Sequence, residues 1–288
     1  MNLKKSAIPL FDDRGFRVTA GLQSKTCKPD IATTRYDRFS HDMPGYEESL
    51  GRLRVTEMVP PGFSAAMLWA RAQALKDELA ADRQIAGILN NICLPVFIPS
   101  VRFDDQGSFF DTIMLSHVKS AYKEQFPGRE FISHCQGRLA GQVKQINVDR
   151  QPAQTTTRPE GLVALFFPEA LRGFSVNAQV EQMAALPQNR FVLSGPIVMS
   201  MVFIMHPKEL ARDMYVPGLV AASARYGTNV ICFRAYNDSL QVGTRNHLDE
   251  AFDSSSGGLF YAEENPDSGR RVECIPSLSL HRPLPSNR

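Results

Sequence analysis

The chain has 288 residues, of which 43% are hydrophobic and 22% charged, and its formal net charge is +2 at pH 7. This length can bury a substantial core in one elaborated domain or in two intimate ones. The composition is ordinary for a soluble globular protein, and so small a net charge does not by itself indicate binding to nucleic acid or a membrane.

No targeting or membrane-spanning segment is predicted. The apolar run near the start, in MNLKKSAIPLFDDRG, is broken by Pro9 and by acidic residues, and no later run reaches about 18 apolar residues. The five cysteines are widely spaced without a CxxC pair, which argues against a disulfide framework or a cysteine zinc site. We expect a cytoplasmic protein with no membrane contact and no cofactor.

Four regions are predicted along the chain. Residues 1–62 mix proline, glycine and charge and form an extended N-terminal arm. Residues 63–150 form a helix-rich α/β half. Residues 151–160, with the sequence QPAQTTTRPE, form a linker or exposed loop. Residues 161–288 form a second half with a C-terminal extension.

The first half begins with a long helix capped by Ser64, because apolar residues recur at helical spacing after it. Residues 93–101, CLPVFIPSV, carry two prolines that restrict them to a sheet edge or an extended segment. A second helix is predicted from Phe109 to Gln125. Residues 130–136 and 139–148 then follow as a hairpin. This half could pack against the second sheet or be a divergent copy of it.

The second half shows strand and helix signals in alternation. GLVALFF, from Gly161 to Phe167, is typical of a short buried strand, and a helix capped by Asn177 follows. The RFVL strand and a Ser-Gly-Pro turn come next. The apolar run IVMSMVFIM, from Ile197 to Met205, is then interpreted as the central strand.

The remaining elements complete the pattern. Pro207 suits the first turn of a helix that Pro217 should kink and that resumes over residues 219–226. NVICFRAY, residues 229–236, returns as a strand, and a turn leads into a fifth strand at residues 240–244. The order strand, helix, strand, strand, helix, strand predicts an α+β fold with a ferredoxin-like (split βαβ) antiparallel sheet, extended by the α/β N-terminal half.

Two residues are candidates for catalysis. Cys135 could act as a nucleophile if an imidazole arrived from elsewhere, because neighbouring strand residues such as His134 point to the opposite face. The alternative is a buried structural cysteine. His206 precedes Pro207 at a predicted strand-to-helix junction, where backbone N–H groups often bind ligands. The same position is equally typical of helix capping.

Carboxylates and basic residues supply the other candidates. Asp104 and Asp105, with Asp111, could ligate Mg²⁺, but FDDQGSFFD is also typical of a turn leading into a helix, so no metal site is predicted. Four basic residues could contact phosphates from one face of the hairpin and the loop after it, with a solvated basic face as the alternative. They are Arg138, Lys144, Arg150 and Arg158.

No complete catalytic or phosphate-binding motif is present. We therefore expect a non-catalytic binding or assembly protein that docks a protein partner or a second copy of itself, with nucleic acid among its candidate partners. The alternative is a hydrolase or metal-dependent nuclease whose site is assembled from sequence-distant residues, since active sites are defined by geometry rather than by sequence order.

Overall fold

A computed structural model describes residues 9–29, 32, 34–146, 160–187 and 190–264. Its helices are α1 (Met43–Arg54), α2 (Ala65–Ala81), α3 (Gln106–Phe109), α4 (Leu115–Gln125), α5 (Val176–Glu181), α6 (Pro196–Met205) and α7 (Pro207–Leu210). Short 3₁₀ segments cover Ala86–Asn90 and Gln182–Ala185, and a π turn covers Phe110–Met114.

The strands are β1 (Leu94–Ile98), β2 (Glu130–Ser133), β3 (Val143–Gln145), β4 (Leu162–Phe167), β5 (Phe191–Leu193), β6 (Gly218–Val220), β7 (Ala224–Tyr226), β8 (Val230–Tyr236), β9 (Ser239–Arg245), β10 (Ser255–Ser256) and β11 (Leu259–Ala262). A four-stranded antiparallel sheet has the order β1-β4-β11-β5, and a mixed five-stranded sheet has the order β10-β6-β8-β9-β2. Strands β3 and β7 form a small antiparallel pair. The α+β class is thereby confirmed.

The segment Ile197–Met205 is a helix, so its prediction as the central strand is wrong. Pro196 occupies the first helical position after Gly195, which is the N-cap. All ten residues of α6 are buried, and the helix packs against α1, α4 and β1. A helix enclosed on all sides has no polar face, and its sequence therefore resembles that of a buried strand.

The ferredoxin-like sheet is also wrong. Without a strand at Ile197–Met205, the expected central position is lost, and the flanking strands separate into different sheets. Strand β4 pairs with β1 and β11, whereas β8 pairs with β6 and β9. The hairpin β8–β9 and the strand β4 themselves occur where the sequence predicts them.

The helix predicted to continue from Pro207 to residue 226 is correct only at its start. Pro207 is the first residue of α7, which ends at Leu210. The remainder forms the strands β6 and β7, and Gly227, with a φ of +58°, lies in the turn to β8 rather than beyond a helix end. Pro217 therefore precedes a strand.

The first helix and the first strand agree with the sequence. The Ser64 side chain caps α2 by accepting a hydrogen bond from the N–H of Met67, and the apolar stripe of α2 is buried. Strand β1 lies at the edge of its sheet and pairs with β4 alone. The first half thus completes a sheet whose other strands belong to the second half.

The hairpin predicted from residues 130–148 is wrong. Strand β2 pairs in parallel with β9, and β3 pairs with β7, so the two segments contact different partners. The turn between them packs on the start of the helical segment 106–125. At Gly107 a Cβ would lie 1.9 Å from the Leu139 carbonyl oxygen, so only glycine allows this close approach.

One continuous apolar core joins the described parts of both halves. It includes Leu68 of α2, Val96 of β1, Phe166 of β4 and Phe233 of β8. The N-terminal region contributes α1, which packs on α2 and α6. Residues 151–159 of the predicted linker lie outside the described residues, and the four-region division stays a prediction. None of the described helices combines the length and apolar character that crossing a membrane requires.

Candidate functional site

Cys135 lies in the core immediately after β2. It is 1% exposed, and its Sγ is 3.7 Å from the Ser133 hydroxyl oxygen. Burial raises the pKa of the thiol, so the reactive thiolate is disfavoured. The neighbouring His134 is exposed, and its Nε2 lies 3.2 Å from the Gln241 side-chain oxygen. Among the described residues, the groups that shift the pKa of this thiol include no histidine.

His206 is fully buried between α6 and α7. Its Nε2 donates to the Pro95 carbonyl oxygen at 2.7 Å, since that oxygen can only accept. The bare Nδ1 faces Glu209 Oε2 at 3.9 Å, and both atoms are buried without a hydrogen-bond partner among the described residues. Burial lowers the pKa of His206 to about 3 and raises that of Glu209. The side chains of His206 and Glu209 are only 1% and 9% exposed, so the pair is largely closed to solvent.

Of the three aspartates considered as metal ligands, Asp105 and Asp111 hold the turn 135–142 on the helical segment, whereas Asp104 is exposed. Asp105 Oδ1 accepts from the Ser108 N–H at 2.5 Å, and its Oδ2 accepts from the Gly141 N–H at 3.0 Å. Asp111 Oδ2 accepts from the Gly137 N–H at 2.6 Å. The described residues contain no group of three or more potential metal ligands. Backbone N–H groups satisfy both Asp105 oxygens and Asp111 Oδ2 without a metal, whereas Asp111 Oδ1 is buried with no hydrogen-bond partner among the described residues.

The basic residues proposed for phosphate contact are only partly described. Arg138 is exposed in the turn after Cys135, and Lys144 is exposed on β3. Neither side chain has a hydrogen-bond or ion-pair partner within the described ranges. Arg150 and Arg158 lie outside the described residues.

A cleft of about 550 Å³ brings together groups that the sequence does not single out. Its walls are residues 13–16, the segment 38–41, residues 90–93 leading into β1, and Glu169 after β4. A volume of this size matches the range of small-molecule sites, which is about 300–1,000 Å³. The cleft therefore has room for an organic ligand of moderate size.

The first wall of the cleft is a tight turn. Asp12 Oδ1 accepts from the N–H groups of Arg14 at 3.0 Å and Phe16 at 2.8 Å. Gly15 has a φ of +83°, and a Cβ there would lie 2.6 Å from the Asn91 Cβ. Glycine is thus required both for the backbone conformation and for the contact with Asn91. The turn holds the Arg14 backbone in a fixed position at the cleft.

The second wall, the segment 38–41, is held in place by the residues that flank it on each side. Arg212 bonds to the Asp37 carboxylate on one side of Arg38. On the other side, Asp42 caps α1 by accepting from the Gly45 N–H at 3.0 Å. Phe39 lies edge-on to the rings of His41 at 4.9 Å and His206 at 5.0 Å. Arg38 is therefore carried on an ordered segment.

The cleft has more free cations than free anions. Arg14 and Arg38 have no side-chain partner among the described residues, and neither does Asp13. Glu169 is buried and pairs with Arg172 at 3.0 Å. Burial, offset by the adjacent Arg172, raises the pKa of Glu169. Because Glu169 is already paired with Arg172, the groups on the described walls that are free to bind a ligand are two arginines and one carboxylate, that of Asp13.

His41, Lys76 and Cys93 set the chemistry at the end of the cleft. Lys76 Nζ donates to His41 Nδ1 at 3.0 Å, which leaves the imidazole hydrogen on Nε2. Partial burial of the ring, followed by the Lys76 charge, lowers the pKa of His41 to about 4. Burial raises the pKa of Cys93 to about 12 despite Lys76. At neutral pH the site therefore offers a neutral imidazole and a thiol rather than a thiolate.

Comparison of the chain with protein-family models, with curated proteins and with solved structures found no match.

Sequence reasoning missed this cleft because its walls come from four distant segments. The one local signal is Asp12-Asp13-Arg14-Gly15, where an aspartate three residues before a glycine is typical of a tight turn. That signal locates a turn but gives no sign of the other walls.

Proposed function

We propose that the protein is a binding protein and that the cleft between residues 13–16, 38–41 and 90–93 holds a small ligand. The observation that carries the proposal is the convergence on one concavity of about 550 Å³ of two guanidiniums without a partner among the described residues, a neutral imidazole and apolar side chains. Concave, mostly apolar sites with a few polar groups are the usual form of ligand pockets.

A fragment screen with a blocked cleft tests the proposal. Asn90 lines the cleft and is exposed, so Asn90→Trp should fill the opening without disturbing the core. We expect fragments that bind the wild-type protein, measured by ligand-observed NMR, to lose binding to Asn90→Trp. The matched control is Asn237→Trp, which places the same side chain on the exposed turn between β8 and β9 and should leave binding unchanged. Equal binding to all three proteins would exclude the cleft as the site.

Contact with nucleic acid through Arg138 and Lys144 is a second candidate function. Both side chains are exposed, but they lie on a turn and a strand rather than on one hairpin. Binding that weakens with salt and is lost on charge reversal of both residues would support it. Docking of a protein partner or a second copy stays a proposal without an identified surface.

The alternative of a hydrolase or metal-dependent nuclease has little support from the positions of its candidate residues. Cys135 and His206 are buried at separate places in the core, and Asp105 accepts two backbone hydrogen bonds. A catalytic group must come within hydrogen-bond reach of a substrate. In the cleft, burial raises the pKa of the Cys93 thiol to about 12, so the reactive thiolate is disfavoured there as well.

A further inference from the structure

The charges around the cleft restrict the kind of ligand that it can hold. The titratable groups on its walls are Asp13, Arg14, Arg38, His41, Cys93 and Glu169. At neutral pH the imidazole and the thiol carry no charge, because the pKa of His41 is lowered to about 4 and that of Cys93 is raised to about 12. Glu169 is paired with Arg172. What remains is two guanidiniums against one carboxylate, with the Lys76 ammonium behind the imidazole.

Guanidinium groups without a protein partner are suited to carboxylates and phosphates. Their planar donors match the oxygen geometry of these anions, and hydrogen bonds between charged groups are about twice as strong as neutral ones. The turn that carries Arg14 is fixed by Asp12 and Gly15, and the segment that carries Arg38 is held through Asp37. Because both backbones are already ordered, little additional backbone entropy would be lost on binding.

The other part of the surface is apolar. Phe16, Phe39 and Ile92 line the same cleft, and the ring of Phe39 is held edge-on between two histidine rings. An inorganic ion would leave this surface in contact with water. An organic body would cover it and add the free energy of apolar burial to that of the charged contacts.

We infer that the ligand of the cleft is an organic anion, a carboxylate or a phosphate ester, whose charged group is held by Arg14 and Arg38 and whose apolar body lies against Phe16, Phe39 and Ile92. This inference rests on the proposed function, because it names the class of ligand for the same cleft.

Calorimetric titrations with matched anionic and neutral probes test the inference. The carboxylate arm compares benzoate with benzamide, the phosphate arm compares phenyl phosphate with phenol, and inorganic phosphate tests the charge alone. We expect at least one organic anion to bind at least about 10-fold more tightly than its neutral counterpart and than inorganic phosphate. Its affinity should fall when the ionic strength is raised from about 25 to about 250 mM, since exposed charges are screened by salt.

Substitutions that remove a positive or a negative charge from the cleft test which side chains determine the affinity for anions. Arg14→Gln and Arg38→Gln should each weaken binding of the preferred anion about 10-fold, because a charged hydrogen bond is lost. Asp13→Asn should strengthen it, because the only unpaired carboxylate on the described walls is removed. Arg102→Gln is the matched control: Arg102 is exposed outside the cleft, and its substitution should change the affinity less than about twofold.

Three outcomes overturn the inference. They are neutral probes that bind as tightly as their anions, an Arg14→Gln/Arg38→Gln double variant that binds like the wild-type protein, and an absence of binding by every anion. If neutral compounds bind and Asn90→Trp abolishes that binding, only the inference fails. If no compound responds to Asn90→Trp, the proposed function fails with it.

Discussion

Asp104 and Asp105 are adjacent, yet their side chains differ in what they contact. Asp105 accepts hydrogen bonds from the N–H groups of Ser108 and Gly141, whereas Asp104 is exposed without a partner in the described chain. The turn interpretation of FDDQGSFFD therefore accounts for Asp105 fully. The sequence shows that a helix begins here but cannot show which carboxylate also holds a turn 36 residues further along the chain.

Replacing Asp105 by alanine should lower the free energy of unfolding by about 1–2 kcal/mol, the usual cost of losing a helix cap. Asp104→Ala is the matched control and should change it by less than about 0.5 kcal/mol. Urea denaturation in EDTA and in Mg²⁺ measures both variants. If Mg²⁺ stabilised the wild-type protein but not the Asp105→Ala variant, the purely structural role of Asp105 would be contradicted and a metal site would be supported.

Glu209 gives a second prediction at this scale, based on its burial beside the unpartnered Nδ1 of His206. Burial raises its pKa above the ordinary 4.5, so the folded protein favours the protonated carboxyl. The stability that this group contributes is present below pH 4.5 and is lost as the pH rises through the pKa of the folded state. In Glu209→Gln the side chain cannot ionise, so no buried charge forms at this position as the pH rises.

We therefore expect Glu209→Gln to be more stable than the wild-type protein at pH 7 and to lose this advantage below pH 4.5. Thermal unfolding followed by circular dichroism between about pH 4 and pH 8 measures the difference. The exposed Glu47 of α1 supplies the control, since Glu47→Gln should change the stability by less than about 0.5 kcal/mol. A Glu209→Gln protein that is destabilised at pH 7 would show that the ionised carboxylate has a favourable partner.

At the scale of the element, the helix α6 shows where sequence patterns stop being informative. Short apolar runs have the same pattern in a buried helix and a buried strand, because neither has a polar face. Pro196 after Gly195 is the one local signal of a helix, since proline is favoured at the first helical position. By contrast, α2 has a capping serine and a one-sided apolar stripe, and its start is predicted correctly.

Pairing between distant strands is equally beyond the sequence. The β8–β9 hairpin is local and is predicted from its turn, whereas the parallel pair β2–β9 joins residues about 110 positions apart. Nothing in the sequence of β2 specifies its partner. The same reason explains why the cleft is missed, since its walls meet only after these long-range contacts form.

Glycine substitutions test the close packing of the turn 135–142 on the helical segment 106–125. Gly107→Ala should destabilise the protein by about 3 kcal/mol, because its Cβ would overlap the Leu139 carbonyl oxygen at 1.9 Å. The control is Gly51→Ala in α1, where no atom from another described part of the chain lies within 4 Å of the added Cβ. That variant should be stabilised by about 0.5–1 kcal/mol, the usual gain of alanine over glycine in a helix. Equal stabilities in urea would contradict the described packing.

At the scale of the whole molecule, the two predicted halves share their sheets. Strand β1 completes the sheet of β4, and β2 forms the edge of the sheet that contains β9. A fragment of residues 160–264 lacks β1 and β2, so the edges of β4 and β9 would be exposed. The apolar surface that packs on α1, α2 and α4 would be exposed as well. Every residue of β4 and α6 is buried in the whole protein, so in the fragment these apolar elements would lose much of their cover.

We therefore expect the isolated fragment 160–264 not to fold, with neither dispersed amide NMR signals nor a cooperative thermal transition. Adding the fragment of residues 1–146 should restore a transition if the two pieces associate. Cooperative unfolding of the 160–264 fragment alone would show that the second half is an independent domain, as the division predicted from the sequence allows.

Methyl NMR of the isoleucine side chains tests the central claim that residues 13–16, 38–41 and 90–93 form a ligand site. Ile92 lines the cleft, and Ile113 is exposed elsewhere on the helical segment 106–125. During titration with benzoate or phenyl phosphate, we predict a saturable shift of the Ile92 methyl signals, absent in Asn90→Trp, with Ile113 unchanged. Unmoved Ile92 signals at saturating ligand, or equal shifts in Asn90→Trp, would contradict the claim.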